Sequence, residues 1–93
     1  SNLTRLSLDQ NQLTIIPKEL GQLSNLIALY LDYNHLDTLP QELRGLSNLT
    51  ELYLHGNEKL GLSAEILGPT WEEVSNGAIP TKPQDILDYY FPG

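Results

Sequence analysis

Leucines recur along this chain in the order L-x-x-L-x-L, and the order returns every 23 residues. Leu3, Leu26 and Leu49 coincide, as do Leu6/Leu29/Leu52, Leu8/Leu31/Leu54 and Asn11/Asn34/Asn57. Leu13/Leu36, Ile16/Leu39/Leu62, Pro17/Pro40, Glu19/Glu42/Glu65, Leu20/Leu43/Ile66 and Leu23/Leu46 keep the same step. Within L-x-L the apolar positions alternate with polar or aromatic ones, the period of a strand with one buried face. Each copy therefore predicts one short strand, roughly over residues 5–9, 28–32 and 51–55. The asparagine after each strand sits where the chain turns out of the sheet, and its amide has donors and an acceptor for backbone groups of that turn. The segments Ile16-Pro17-Lys18-Glu19-Leu20 and Leu39-Pro40-Gln41-Glu42-Leu43 then predict short helical turns, which tolerate a proline at their start.

This L-x-x-L-x-L-x-x-N-x-L text resembles the leucine-rich repeat, whose period is about 20–29 residues. The resemblance implies an α/β fold. Its repeats would stack as a solenoid, with a short parallel β-sheet on the concave face, short helical or 3-10 segments on the convex side, and inward asparagines forming a ladder. A single repeat cannot bury its own leucines, so stacking must supply the core. Residues 1–68 are expected to hold about 2.5 to 3 repeats, and 69–93 to form a C-terminal cap with a helix at about 82–91.

The third copy departs from the pattern at Lys59, which stands where Leu13 and Leu36 stood, so Leu60 is expected to turn inward beside the permissive Gly61. Gly68-Pro69 punctuates the chain. In the tail, Trp71 and Val74 are expected to lie on the last repeat, and Ser75-Asn76-Gly77 marks a turn. Thr81-Lys82-Pro83-Gln84 resembles a capping box. Ile86/Tyr90 and Leu87/Phe91, spaced i to i+4, would form one apolar stripe that Phe91-Pro92-Gly93 ends.

The net charge of −7, from 5 basic against 12 acidic residues, disfavours nucleic acid and anionic membranes as partners and favours a basic protein surface. With no cysteine, disulfide caps and thiolate metal sites are excluded. No apolar run approaches the roughly 20 residues of a membrane span, and no signal peptide is present, so a cytoplasmic location is expected. Asn2-Leu3-Thr4 and Asn48-Leu49-Thr50 fit the glycosylation pattern but recur as part of the repeat. His35 and His55 lie apart and form no metal site. No nucleophile is accompanied by a base and an orienting acid, so neither catalysis nor a cofactor is expected.

Outward strand positions should line up as Arg5/Ala28/Glu51, Ser7/Tyr30/Tyr53, Asp9/Asp32/His55 and Gln10/Tyr33/Gly56. The candidate partner-binding residues are Arg5, Ser7, Asp9, Tyr30, Asp32, Tyr33, Glu51, Tyr53 and His55. Tyr30 beside Tyr53 offers a rigid amphipathic surface of the type enriched at hot spots, or else a solvated pair that steadies adjacent strands. Asp9 beside Asp32 repels unless solvent screens the pair or a partner's cation sits between them. His55 is expected to be exposed. On this reading Leu54→Asp disrupts the fold, whereas Tyr53→Ser leaves it intact.

The repeat text with IPKELGQLSNL and LPQELRGLSNL is similar to intracellular repeats that carry a proline after the turn. The tail EILGPTWEEV followed by KPQDILDYYF resembles the junction between repeats and GTPase in bacterial Roco proteins. That resemblance implies the repeat arm of a larger regulatory protein. The sequence given contains no G-x-x-x-x-G-K-[ST] phosphate loop, and no nucleotide-binding residue is carried over. A protein-interaction module is expected, with a structural spacer that positions a neighbouring domain as the alternative. Because Ser1-Asn2-Leu3 matches Ser24-Asn25-Leu26, the chain is expected to be an excised piece that self-associates through, or frays at, an uncapped N-terminal face.

Overall fold

The structure, a computed structural model, describes residues 3–91. The Ser1-Asn2 opening of the first copy and the Pro92-Gly93 stop lie outside the described residues. Three strands, β1 (Arg5–Ser7), β2 (Ala28–Tyr30) and β3 (Glu51–Tyr53), pair in parallel in the order β1-β2-β3. Their register sets Leu6 against Leu29 against Leu52 and Ser7 against Tyr30 against Tyr53. Backbone bonds continue past the strand ends, from Leu8 N to Tyr30 O at 2.8 Å and from Leu31 N to Tyr53 O at 2.9 Å.

Leu26, Leu29, Leu31 and Leu36 of the second copy are fully buried, while Leu6, Leu8, Leu13, Leu20 and Leu23 of the first are only partly covered. The reason is stacking: the second copy has a neighbour on each side, and β1 is an edge. Opposite the sheet, Lys18–Gln22 and Gln41–Gly45 form 3-10 helices, each preceded by its proline in extended conformation. They pack so closely that a Cβ on Gly21 would collide with the backbone of Glu42.

The asparagines form a ladder between copies. Asn34 Nδ2 donates to Leu8 O (2.9 Å) and Leu31 O (3.0 Å), and its Oδ1 accepts from Leu13 N at 3.2 Å. Asn57 repeats this with Leu31 O, Leu54 O and Leu36 N at 2.9, 3.0 and 3.1 Å. Just before each asparagine the chain enters the left-handed region, at Gln10 (φ 57), Tyr33 (φ 58) and Gly56 (φ 83). A side chain at Gly56 would strike the Tyr33 ring, so the third copy combines the easy conformation with a close approach.

After a short 3-10 turn at Glu58–Leu60, which turns Leu60 inward and leaves Lys59 exposed, come α1 (Ala64–Leu67), α2 (Trp71–Ser75) and α3 (Pro83–Tyr90). Ile86 and Leu87 of α3 are fully buried, with Tyr90 and Phe91 packed partly against the core. The helix reaches back to the second copy. Tyr90 Oη accepts from Leu39 N at 3.3 Å and donates to Thr38 Oγ1 at 3.1 Å, and Asp88 meets Arg44 at 3.4 Å. α3 packs against α1 and against the 3-10 helix of the second copy, closing the leucine core at this end.

The structure corrects two expectations about the tail. No capping box forms at Thr81: α3 starts after Lys82, with no side-chain cap. The box is at Thr70 instead, whose Oγ1 accepts from Glu73 N (3.2 Å) while Glu73 Oε1 accepts from Thr70 N (2.9 Å). Trp71, expected on the last repeat, is half-buried further across the sheet, in a groove beside Tyr30 and Asp9 of the first two copies.

Candidate interaction face

The x positions of L-x-L point away from the leucine core, which places Arg5, Ser7, Tyr30, Glu51 and Tyr53 on the sheet's outer face. The register brings the expected columns together: Arg5 beside Ala28 and Glu51, Ser7 beside Tyr30 and Tyr53. Asp9, Asp32 and His55 follow two residues on, so the face grades from a basic corner at Arg5 to an acidic end at Asp9. A shallow groove of about 260 Å³ crosses it, lined by Arg5, Ser7, Asp9, Tyr30 and Trp71. Tyr33, half exposed, stands beyond the acidic end.

This face is less open than alternation alone predicts. Tyr53, expected on a solvated surface, is 2% exposed. Its ring stacks on Tyr30 with centroids 5.1 Å apart, and its hydroxyl donates to Glu51 Oε1 at 2.6 Å. Burial first, then the hydrogen bond to the Glu51 carboxylate and the negative charge of that group, pushes the phenol up from its ordinary value of 10.0. Ala28 is buried too, being too short to stand clear of Arg5 and Glu51 on either side.

Asp32, expected to be screened by solvent, is 1% exposed, and neither carboxylate oxygen has a hydrogen-bond partner among the described residues. Desolvation is the main force raising its carboxyl above the ordinary 3.8, and the Asp9 charge adds to it. Its own backbone amide, His55 and the Trp71 side chain favour the charged form, but stand outside hydrogen-bond geometry. His55 is half buried rather than exposed, with Nε2 2.9 Å from Gly68 O. A carbonyl only accepts, so Nε2 carries the hydrogen.

The tail explains this covering. Gly68 is tied to His55 at the end of β3, and Trp71 reaches the groove beside Tyr30 and Asp9. The segment between them therefore crosses over β3. Gly68 takes φ 74, and a Cβ there would collide with the Thr81 hydroxyl, so the crossing needs glycine. Period-2 alternation marks which way a side chain points but carries no information about what later folds over it. One signal was available: Thr70-Trp71-Glu72-Glu73 fits [ST]-x-x-[DE], a helix start that directs Trp71 into the first turn of α2.

Among the described residues, no three His, Cys, Asp or Glu side chains gather to hold a metal ion, and no helix is long and apolar enough to cross a membrane. The parallel strands, the asparagine ladder and the short helical returns define a stack of leucine-rich repeats. The leucine rich repeat family matches residues 1–58, and the chain belongs to that family. Modules of this family generally bind protein partners. Comparison with curated proteins gives no match.

Proposed function

We propose that this chain is a non-catalytic protein-interaction module that binds its partner on the outer face of the sheet. The observation that carries the reading is the groove over β1 and β2, where Ser7, Asp9 and Tyr30 are presented on paired strands. Backbone pairing holds these side chains in place before a partner arrives, which lowers the ordering cost of binding. The acidic end and the net charge of −7 favour a partner with a basic surface over one rich in phosphate. The resemblance of the tail to the repeat-to-GTPase junction of Roco proteins supports placing the module, in the cytoplasm, as the repeat arm of such a regulatory protein.

Peptides selected from a random displayed library against the folded chain, followed by mapping of amide shifts, test the binding face. Selected peptides should be rich in arginine and lysine and should perturb Ser7, Asp9, Tyr30 and Trp71. Binders that perturb only Lys18–Gln22 and Gln41–Gly45 would refute it. A second reading, a spacer that positions a neighbouring domain, is favoured by one observation: the tail already lies against His55 and beside Asp32. It predicts that selection yields no binder on this face.

A further inference from the structure

Among the described residues, the buried polar side-chain atoms of the outer face without a hydrogen-bond partner are both oxygens of Asp32 and Nδ1 of His55, and only Asp32 has its whole polar group in that state. It is almost completely buried, both oxygens lack a hydrogen-bond donor among the described residues, and Asp9 adds like charge next to it. A carboxylate in this state is costly, because burial strips it of solvent while the nearby backbone amide and Trp71 indole make no hydrogen bond of good geometry to it. The Trp71 side chain lies beside it and forms one wall of the groove that contains Asp9 and Tyr30. Nothing in the repeat pattern requires this, since the tail, not the stack, places Trp71 there.

Resting on the reading of this face as the binding face, we propose that Asp32 and Asp9 form a seat for one arginine side chain of a basic partner segment, and that Trp71 is a displaceable cover over it. A guanidinium supplies donors to two carboxylates at once and stacks its plane on an aromatic ring, here Tyr30, which an ammonium does less well. The indole is a poor substitute: it has a single N–H donor, and that donor does not reach either oxygen in hydrogen-bond geometry. The titratable groups around Asp32 are Asp9 and His55, with Arg5 at the far end of the groove. Asp9 lies four residues beyond Arg5, two past the end of β1, up to roughly 13 Å at strand rise, so an incoming cation is directed to the Asp9 end. The cover is held lightly. α2 has 5 residues, and none of them is buried.

Trp71 is the single tryptophan of the chain and reports on its own displacement. In a titration of the full chain with hexa-arginine at low salt, its emission should shift saturably to the red. Asp32→Asn should weaken binding by about tenfold or more, the scale of a lost hydrogen bond to a charged group. Glu19→Gln, an equal charge loss on the opposite side, should change it by less than about twofold, as a screened surface charge does. Trp71→Ala, followed by calorimetry, should bind more tightly. In the unmodified chain the Asp32 carboxyl carbon resonance should move on titration, a readout that needs no variant. An unmoved resonance, Asp32→Asn no worse than Glu19→Gln, or Trp71→Ala weakening binding as Asp32→Asn does would overturn the seat or its cover. Equal affinity for hexalysine would overturn the choice of guanidinium. Binding that maps to the outer face yet ignores Asp32 sinks this inference alone, whereas binding mapped to the 3-10 side sinks the binding face as well.

Discussion

The asparagine ladder makes a graded prediction, because its three members share acceptors unequally. Asn57→Ala removes the donors to Leu31 O and Leu54 O and the acceptor for Leu36 N. Leu31 O keeps Asn34 Nδ2 as a partner, so the groups left unsatisfied are Leu54 O and Leu36 N, both in fully buried residues. At roughly 1–3 kcal/mol for each buried unsatisfied group, the loss is about 4 kcal/mol. Asn34→Ala leaves Leu8 O with Asn11 Nδ2 and Leu31 O with Asn57 Nδ2, and orphans only Leu13 N in a half-buried residue. It should cost about 1–2 kcal/mol. Asn11 is exposed, and Leu8 O keeps Asn34, so Asn11→Ala should cost under about 0.5 kcal/mol. A domain of this size has roughly 5–14 kcal/mol in total, so the Asn57 variant should lose a large part of its urea midpoint while keeping its slope. Urea titration of the three variants by circular dichroism reads the order directly. Equal losses at Asn34 and Asn57, or the largest at Asn11, would refute the reasoning that shared acceptors protect the middle of the ladder.

Further outcomes follow from the outer face. Asp32→Asn should stabilise the chain by about 1–3 kcal/mol at neutral pH, since the amide avoids the cost of a buried, unpartnered charge. Because burial raises the folded-state value above 3.8, the native carboxyl holds its proton longer than the unfolded one, so this group's stabilising contribution is complete below about pH 4 and is lost as pH rises through the folded value. The variant's gain should therefore vanish in acid, as thermal melts at pH 3.5 and 7 would show. Tyr53→Ser, unlike the expectation from alternation, should cost about 3 kcal/mol through lost aromatic burial, and Leu54→Asp should abolish the cooperative transition. Tyr53 is also raised, so stability should fall as pH climbs above 10.0, and Tyr53→Phe should lessen that fall. The β1 edge, with its half-covered leucines, should exchange its amides faster than β2, and sedimentation at rising concentration should show whether that edge also recruits a second copy.

Much of the site was legible in the chain, though unevenly. The 23-residue step places Ser7, Tyr30 and Tyr53 in one row, since strands that share a period must share a register once their leucines share a core. That Leu60 replaces the missing leucine at position 59 could also be read, from the glycine that follows it. What period-2 reasoning could not show was the covering of Tyr53, Asp32 and His55. Gly68 bonds His55 and Trp71 stands beside Asp32, at least 13 positions further along the chain where the repeat runs out, while Tyr53 is held under Tyr30 and Glu51.

The sequence by itself determined the strands, their parallel order and the asparagine ladder, because each depends on local alternation and on neighbours one repeat away. Only the tertiary structure decided where the tail goes: α3 returns to the second copy through Tyr90 and Asp88, while Trp71 crosses to the opposite side of the sheet. A residue's direction is written in its own strand, but its solvent exposure depends on every segment that packs above it, and a tail without a repeat has no period from which that packing can be read.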